Sequence, residues 1–235
     1  MQINPYTINI PQYKGKRYVI SDIHGCSKTL KALIEKISLT KDDQLFLLGD
    51  YIDRGPDSMG VIDYLLELQQ EEYNVFPIRG NHEEELLFIN KYKPNSLVVK
   101  YIQKEKIFNF FSSSQELKRN YFEFFHSLPY FIELDNYFLV HAGFNFNSVK
   151  PFEDIHEMID IRNWKYNPLI ANNKTIIHGH DPHELNEIEK RIKMNDKIIP
   201  LDNGCVFDSV LDMGNLLCLE LETFSLICQK NIDDM

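Results

Sequence analysis

Short apolar runs that end in clusters of polar residues and glycine are the feature of this sequence that most restricts its fold. Residues 17–22 and 44–50 are apolar runs that each stop at a carboxylate, and residues 74–79 run into Gly80. Runs of this length and composition indicate buried strands. Polar groups gathered at strand ends reduce stability unless something compensates them, so we expect these ends to hold a functional site. Five segments share the design, namely residues 22–25, 49–55, 80–83, 141–143 and 178–180.

Helical patterns separate the first strands. Residues 28–37 and 58–69 carry leucine, isoleucine and valine at a helical spacing. A strand, helix, strand, helix, strand order is typical of α/β layering, in which ligands gather in loops beyond the carboxyl ends of the strands. The sequence therefore predicts an α/β fold with its chemistry at one edge of a sheet.

A different pattern covers residues 84–127, which form helix-like stretches rich in Phe, Tyr, Leu and Lys. We predict a helical insertion or cap here, with its aromatic side chains in the core rather than on a substrate-facing surface. Residues 130–141 then predict a β-hairpin, and residues 174–178 and 216–229 predict further strands. No linker divides the chain, so we expect a single catalytic domain over residues 1–235. The aromatic residues that we expect in the core of the predicted insertion are Phe108, Phe110, Phe111, Tyr121, Phe122, Phe124 and Phe125.

Composition and charge exclude several classes of protein. Hydrophobic residues make up 43% and charged residues 26% of the chain, which is wrong for a disordered or a membrane-embedded protein. Acidic residues number 35 against 25 basic ones, so the net charge is -10. Such a field repels nucleic acid and anionic membranes, and we expect neither as a partner.

The sequence also predicts a cytoplasmic location. Residues 1–15 lack the basic and apolar regions of a secretory signal, and no apolar run approaches transmembrane length. The cysteines contain no C-x-x-C pair, which fits reduced thiols better than a disulfide framework or a zinc knuckle. They are Cys26, Cys205, Cys218 and Cys228.

The five polar segments together supply carboxylate, imidazole and amide-oxygen ligands. Divalent Mn, Fe, Mg and Zn ions accept such mixed sets, and a carboxylate has two oxygens with which to bridge two ions. One ion could be held by Asp22, His24 and Asp50, and a second by Asp50, Asn81, His141 and His180. Two ions about 4 Å apart polarise a phosphoryl group and activate a shared water, so the set suits hydrolysis of phosphate esters.

In their order along the chain, these segments resemble the phosphoprotein phosphatase branch of the calcineurin-like metallophosphoesterases, from Arg17 to Asp202. Residues 49–55, Gly-Asp-Tyr-Ile-Asp-Arg-Gly, carry the most specific part, because Asp53 and Arg54 distinguish this branch from the wider superfamily. The resemblance implies a sandwich of two mixed β-sheets flanked by helices, and two divalent ions, with Mn²⁺ favoured over Fe, Zn or Mg. It implies as metal ligands Asp22, His24, Asp50, Asn81, His141 and His180.

The resemblance also implies roles in the reaction. His82 would be the general acid, Asp53 its orienting partner and Arg54 a clamp for the substrate phosphate, which Asn81 and His82 also contact. Arg162 matches a second phosphate-binding arginine. These residue types suit the roles, since an imidazole held by a carboxylate can protonate a leaving alkoxide and arginine forks match phosphate oxygens.

Several neighbouring residues have open roles. The family pattern maps its metal-binding histidine onto His180, which leaves His178 as structural or as a support for the ligands. Asp181 stands where many relatives have Thr. Its carboxylate either hydrogen-bonds His180, which we favour, or repels an incoming phosphate. Glu83 and Tyr51 fit structural roles in helix capping and core packing.

Three functions fit these motifs. A serine/threonine protein phosphatase that uses a metal-bound hydroxide as nucleophile is the first, with a phosphoprotein as substrate. The alternative is a hydrolase of dinucleoside polyphosphates such as diadenosine tetraphosphate, because both bacterial protein phosphatases and symmetrical dinucleoside tetraphosphatases resemble this chain. The third is a binding protein for phosphorylated ligands without turnover. The presence of His82 and of both arginines counts against the third.

Overall fold

Two mixed β-sheets packed on each other form the centre of the computed structural model, which describes residues 10, 12–92, 95–114 and 116–234. The prediction of an α/β sandwich with two mixed sheets is confirmed. The strands are β1 Arg17–Ile20, β2 Gln44–Leu47, β3 Asn74–Pro77, β4 Phe131–Glu133, β5 Tyr137–Val140, β6 Thr175–His178, β7 Ile198–Pro200, β8 Asn215–Glu220 and β9 Ser225–Lys230.

The first sheet has five strands in the order β3-β2-β1-β8-β9. Strands β1, β2 and β3 are parallel, with Tyr18 paired to Leu45 and Leu45 paired to Val75. Strands β8 and β9 complete the sheet in antiparallel pairing. The parallel strands therefore all point their carboxyl ends, with the polar segments that follow, toward the same edge.

The second sheet has four strands in the order β4-β5-β6-β7. Strands β5, β6 and β7 are parallel, and β4 pairs with β5 as the predicted hairpin. Side chains from both sheets fill the layer between them, where alternate residues of each strand point inward. This layer includes Val19, Phe46, Ile132, Leu139, Ile177, Ile199, Leu217 and Leu219.

Helices cover the outer faces of the sheets. The helices are α1 Ser27–Ile37, α2 Ser58–Gln70, α3 Asn81–Tyr92, α4 Asn95–Glu105, α5 Arg119–Ser127, α6 Ile155–Asp160 and α7 Leu185–Lys193. Both α1 and α2 pack on the first sheet, as their apolar spacing predicts. Helices α6 and α7 and strand β7 lie in stretches for which the sequence pattern gave no assignment.

Helices α3, α4 and α5 and a 3₁₀ turn at Phe108–Phe110 account for the helix-rich stretch 84–127. Most of its aromatic side chains are buried, as predicted. The prediction is wrong for Phe108 and Phe122, which are 56% and 38% exposed. Phe122 lies on the outer side of α5 and contacts the ring of His126 one turn later. The buried members are Phe110, Phe111, Tyr121, Phe124 and Phe125.

Within the described residues, no helix combines the length and the apolar character needed to cross a bilayer. Residues 1–9 and 11, which belong to the stretch assessed for a secretory signal, lie outside the described part of the chain.

Candidate metal centre

Backbone hydrogen bonds join the loops that follow β1, β2, β3, β5 and β6. The N–H of His24 donates to the carbonyl of Asp50 (2.8 Å), and the N–H of Gly179 donates to the carbonyl of His141 (2.8 Å). The N–H of His82 donates to Oδ1 of Asp50 (3.1 Å). The N–H of His180 donates to Oδ2 of Asp22 (3.0 Å) and so connects the loops of the two sheets. All five polar segments of the sequence therefore meet at one edge of the sandwich.

Two glycines let the loops after β2 and β3 approach closely. A Cβ on Gly49 would lie 2.6 Å from the backbone nitrogen of Gly80, and a Cβ on Gly80 would overlap the carboxylate of Asp50. Gly49 also has a φ of 100°, which L side chains rarely adopt. Only glycine fits at this junction.

Five polar residues at this edge adopt the left-handed backbone conformation. Each costs on the order of 1 kcal/mol or more relative to an ordinary conformation, and such residues persist only where surrounding contacts fix them. The φ values are 47° at His24, 51° at Asp50, 68° at Asp53, 66° at Arg54 and 68° at His180.

Glu83, which is fully buried, supplies contacts that fix this arrangement. Its Oε2 accepts the N–H groups of Asp50 and Gly80 (both 2.9 Å), and its Oε1 accepts that of Tyr51 (2.8 Å). Glu83 thus caps α3, as predicted, because Gly80 precedes that helix. It also joins the end of β2 to the end of β3, a contact that helix capping alone does not require.

One cluster of ligand atoms surrounds Oδ1 of Asp50. Oδ1 of Asn81 lies 3.0 Å from both Nε2 of His141 and Nδ1 of His180, and these two nitrogens are 3.2 Å apart. Nε2 of His141 lies 3.5 Å from Oδ1 of Asp50. The structure therefore brings together all the residues that the sequence assigns to a second ion.

A second cluster surrounds the other oxygen of Asp50. Oδ2 of Asp50 lies 3.5 Å from Nε2 of His24 and 3.9 Å from Nε2 of His82. Asp22 is buried at the same edge, but its carboxylate accepts the N–H of His180 (3.1 and 3.0 Å) and belongs to neither compact cluster. Asp50 is the residue that both clusters share.

Two of the three candidate ligand histidines, His24 and His141, have their tautomers fixed by backbone carbonyls. Nδ1 of His24 donates to the carbonyl of Ile52 (3.0 Å), and Nδ1 of His141 donates to that of Leu48 (2.8 Å). Nε2 of each ring then carries a lone pair, lies 3.5 Å from the carboxylate of Asp50 and can bind a cation. Burial lowers the pKa of His24 and of His180 to about 3, which keeps both imidazoles neutral.

The buried polar atoms fit divalent cations. Three potential ligand atoms, Nδ1 of His180, Nε2 of His141 and Oδ1 of Asn81, lie within 3.2 Å of one another. Burial, with the charges of Asp202 and Asp50, raises the pKa of Asp22 well above its usual range. Burial likewise raises the pKa of Glu83 and of Asp202 to about 7. Cations bound at this edge would offset the repulsion among these carboxylates. The oxygen and nitrogen atoms here therefore fit a positively charged ligand.

His82 differs from the other histidines of the site. Its Nδ1 donates to Oδ2 of Asp53 (2.7 Å). Burial opposes protonation, but the hydrogen bond to Asp53 and the charge of Asp50 outweigh it and raise the pKa of His82 to about 9. A protonated imidazole therefore stands beside neutral ones. Tyr101 of α4, to which no motif gives a role, donates to the same oxygen of Asp53 (2.7 Å).

The two predicted phosphate clamps come from different loops, Arg54 from the loop between β2 and α2 and Arg162 from the loop between α6 and β6. Arg54 is exposed, and its N–H donates to Oε2 of Glu105 (3.2 Å). Arg162 contacts the carbonyl of His180 (3.5 Å) and forms an ion pair with Asp181. The favoured expectation that Asp181 hydrogen-bonds His180 is wrong, because its carboxylate faces the stronger donor, the guanidinium of Arg162.

His178 lies away from both clusters. Its Nδ1 contacts the carbonyl of Gly179 (3.0 Å), and its ring packs against Trp164 with 5.6 Å between ring centroids. This position agrees with a structural role. Tyr51 is fully buried, and its hydroxyl donates to the carbonyl of Ile78 (2.6 Å), so it too packs in the core.

A substitution at Glu83 tests the link between the two loops. In Glu83→Gln an amide NH₂ replaces one acceptor oxygen and faces backbone N–H groups, so we expect the free energy of unfolding to fall by about 1–3 kcal/mol. Mn²⁺ affinity should fall as well, because Asp50 loses its backbone anchor. Urea unfolding and calorimetric Mn²⁺ titration measure the two effects. The exposed neighbour Glu85, changed to Gln on the same helix, is the control. Equal behaviour of the two variants would contradict the anchoring role.

Curated relatives match parts of the chain. It is 35% identical over 121 residues to the symmetrical bis(5'-nucleosyl)-tetraphosphatase of Buchnera aphidicola subsp. Acyrthosiphon pisum, a match that covers 51% of this chain and 36% of that protein. It is 40% identical over 73 residues to the protein of the same name from Wigglesworthia glossinidia brevipalpis, covering 31% and 26%. The chain thus spans about a quarter to a third of the length of these relatives.

Solved structures share the fold over nearly the whole chain. A provisionally assigned diadenosine tetraphosphatase aligns over 95% of this chain and 96% of its own, with a TM-score of 0.66 and 22% identity. A Saccharomyces cerevisiae serine/threonine phosphatase similar to human PP5 aligns over 94% and 81%, with a TM-score of 0.61 and 17% identity. At these identities the likeness concerns the fold alone.

The family model for calcineurin-like phosphoesterases matches residues 15–205, which include every polar segment at the edge of the sandwich. This match confirms the resemblance drawn from the motifs and the predicted class of metallophosphoesterase. The two mixed sheets and the clusters that share Asp50 agree with it. The chain belongs to the calcineurin-like phosphoesterase family.

Proposed function

We propose that this chain is a metal-dependent phosphoester hydrolase that cleaves dinucleoside polyphosphates by direct attack of water. The observation that carries the reaction class is the arrangement around Asp50, whose Oδ1 faces Nε2 of His141 and whose Oδ2 faces Nε2 of His24. The protonated His82 beside them supports it. Curated relatives named as symmetrical bis(5'-nucleosyl)-tetraphosphatases support the substrate class.

The proposed ligands keep the division predicted from the sequence. Calcineurin-like phosphoesterases use a dinuclear metal centre, and we propose Mn²⁺ for both ions. When bound, the ions would polarise the phosphoryl oxygens and lower the pKa of a shared water. The residues that would hold them are Asp22, His24 and Asp50 for one ion, and Asp50, Asn81, His141 and His180 for the other.

The remaining polar residues would act on the substrate. His82 donates a proton from Nε2 to the leaving oxygen while Asp53 holds its Nδ1–H. Arg54 and Arg162 bind non-bridging phosphate oxygens through their guanidinium forks. Asp181 competes with the substrate for Arg162. Residues 1–235 would form one catalytic domain.

A serine/threonine protein phosphatase, which the motifs alone favour, is the alternative. The relatives with the higher identity carry the nucleotide name, whereas the yeast phosphatase shares only the fold, at 17% identity. The nucleotide substrate therefore has the better support.

A comparison of substrates tests this choice. After removal of metal and addition of Mn²⁺, we expect diadenosine tetraphosphate to be hydrolysed with a higher kcat/KM than any peptide in a phosphoserine and phosphothreonine panel. Chromatography of the nucleotide products measures the first reaction, and release of inorganic phosphate from the peptides measures the second. The Asp50→Asn variant is the control for contaminating enzymes. Preference for a peptide would favour the alternative. Inactivity on both substrates, despite two bound ions per chain, would favour a binding protein.

The acid role of His82 is tested by leaving-group dependence. His82→Ala should lower kcat for phenyl phosphate by about 10² to 10⁴, since its leaving group needs a proton, and should lower kcat for p-nitrophenyl phosphate much less. Mn²⁺ content should not change. A loss of the same size for both substrates would remove His82 from the acid role.

The pairing of Arg162 with Asp181 predicts a gain in substrate binding. Asp181→Asn removes the competing charge, so KM for diadenosine tetraphosphate should fall by about two- to five-fold, as expected for an ion pair on an accessible surface. Asp135→Asn in the turn between β4 and β5 is the control. A KM that rises instead would show that Asp181 helps to hold Arg162 in place for the substrate.

A further inference from the structure

A tyrosine of the helical insertion reaches the acid pair. The hydroxyl of Tyr101 in α4 donates to Oδ2 of Asp53 at 2.7 Å, and Nδ1 of His82 donates to the same oxygen at 2.7 Å. Tyr101 is 8% exposed and Asp53 is 1% exposed. The three side chains therefore form one hydrogen-bonded chain from the insertion to the candidate acid.

The carboxylate of Asp53 depends on these two bonds for its orientation. Its other oxygen, Oδ1, is buried and has no hydrogen-bond partner in the described part of the chain. Without the Tyr101 hydroxyl, the carboxylate could rotate and present either oxygen to His82. Burial and the adjacent Asp53 raise the pKa of the Tyr101 phenol well above its usual range, so the phenol stays a donor.

A second contact from the same face of α4 reaches the next residue of the loop. Glu105 lies one turn after Tyr101, and its Oε2 accepts the N–H of Arg54 (3.2 Å). Asp53 and Arg54 both have left-handed φ values, 68° and 66°. Helix α4 thus braces two consecutive residues whose backbone conformation is unfavourable by itself.

Packing alone does not account for the hydroxyl. The ring of Tyr101 belongs to the apolar core under the insertion, where phenylalanine would fill the same volume. A buried phenol needs an acceptor. Here the acceptor is the carboxylate oxygen that already orients His82.

On the basis of the proposed function, we propose that Tyr101 is a positioning residue for proton transfer. Its hydroxyl fixes the carboxylate of Asp53. The ring of His82 then keeps Nδ1 on Asp53 and Nε2 toward Asp50 and the leaving group. Tyr101 acts through Asp53 and touches no reacting atom.

This role is tested by measuring kcat of Tyr101→Phe for two substrates with different leaving groups, in the Mn²⁺-loaded full chain. We expect kcat for phenyl phosphate to fall by about five- to ten-fold, the effect of one hydrogen bond, while KM stays within about two-fold. The kcat for p-nitrophenyl phosphate should change little, because that leaving group needs no proton. The ratio of the two kcat values does not depend on the folded fraction, so it remains informative for a destabilised variant.

Tyr121→Phe is the matched control. Tyr121 of α5 is also buried, and its hydroxyl donates to Oδ1 of Asp63 (2.9 Å), in a pair with no bond to Asp53 or His82. We expect its ratio of kcat values to equal that of the wild type. A Tyr101→Phe ratio equal to that of Tyr121→Phe would overturn the positioning role.

A double-mutant cycle with Asp53→Ala, which removes the acceptor of the Tyr101 hydroxyl, provides an independent test. If Tyr101 acts only through Asp53, Tyr101→Phe should leave the ratio unchanged in the Asp53→Ala background. Additive effects would contradict the proposal. Failure of the proposed function is distinguishable, because the wild type would then hydrolyse neither diadenosine tetraphosphate nor phenyl phosphate, or His82→Ala would show no leaving-group dependence. If His82→Ala changes the ratio of the two kcat values and Tyr101→Phe does not, only the proposed role of Tyr101 is overturned.

Discussion

One buried carboxylate, that of Glu83, holds together the two loops on which the site depends. It accepts N–H groups from Asp50 and Tyr51 after β2 and from Gly80 after β3. Asp50 is thereby held in a left-handed conformation that costs free energy by itself. Because Asp50 bonds in turn to the backbone of His24 and His82, its position sets the geometry of the loops on both sides.

The same edge separates its histidines into two kinds by their surroundings. His24 and His141 donate Nδ1–H to backbone carbonyls and are kept neutral by burial, which suits metal binding. His82 donates Nδ1–H to a carboxylate instead, and that single difference in partner, with the charge of Asp50, raises the pKa of His82 to about 9. In the proposed function, residues at the ends of the strands would thus supply both metal ligands and a general acid, which hydrolysis at a metal centre requires.

The sequence predicts the parts of this site that lie at strand ends, because short apolar runs locate buried strands and parallel strands open at one edge. It does not predict which partner a side chain selects across the fold. Asp181 meets Arg162 from another loop, and Glu83 reaches beyond its own helix, because both contacts depend on how loops of distant sequence pack. Tyr101 carries no motif at all. The acceptor of its hydroxyl becomes visible only when α4 is placed against the loop after β2.

Anomalous diffraction from crystals grown with Mn²⁺ would reveal whether Asp50 is shared between two ions. We expect two anomalous peaks, both in contact with the carboxylate of Asp50, one toward His24 and the other among Asn81, His141 and His180. A single peak, or two peaks of which one lacks contact with Asp50, would contradict this expectation.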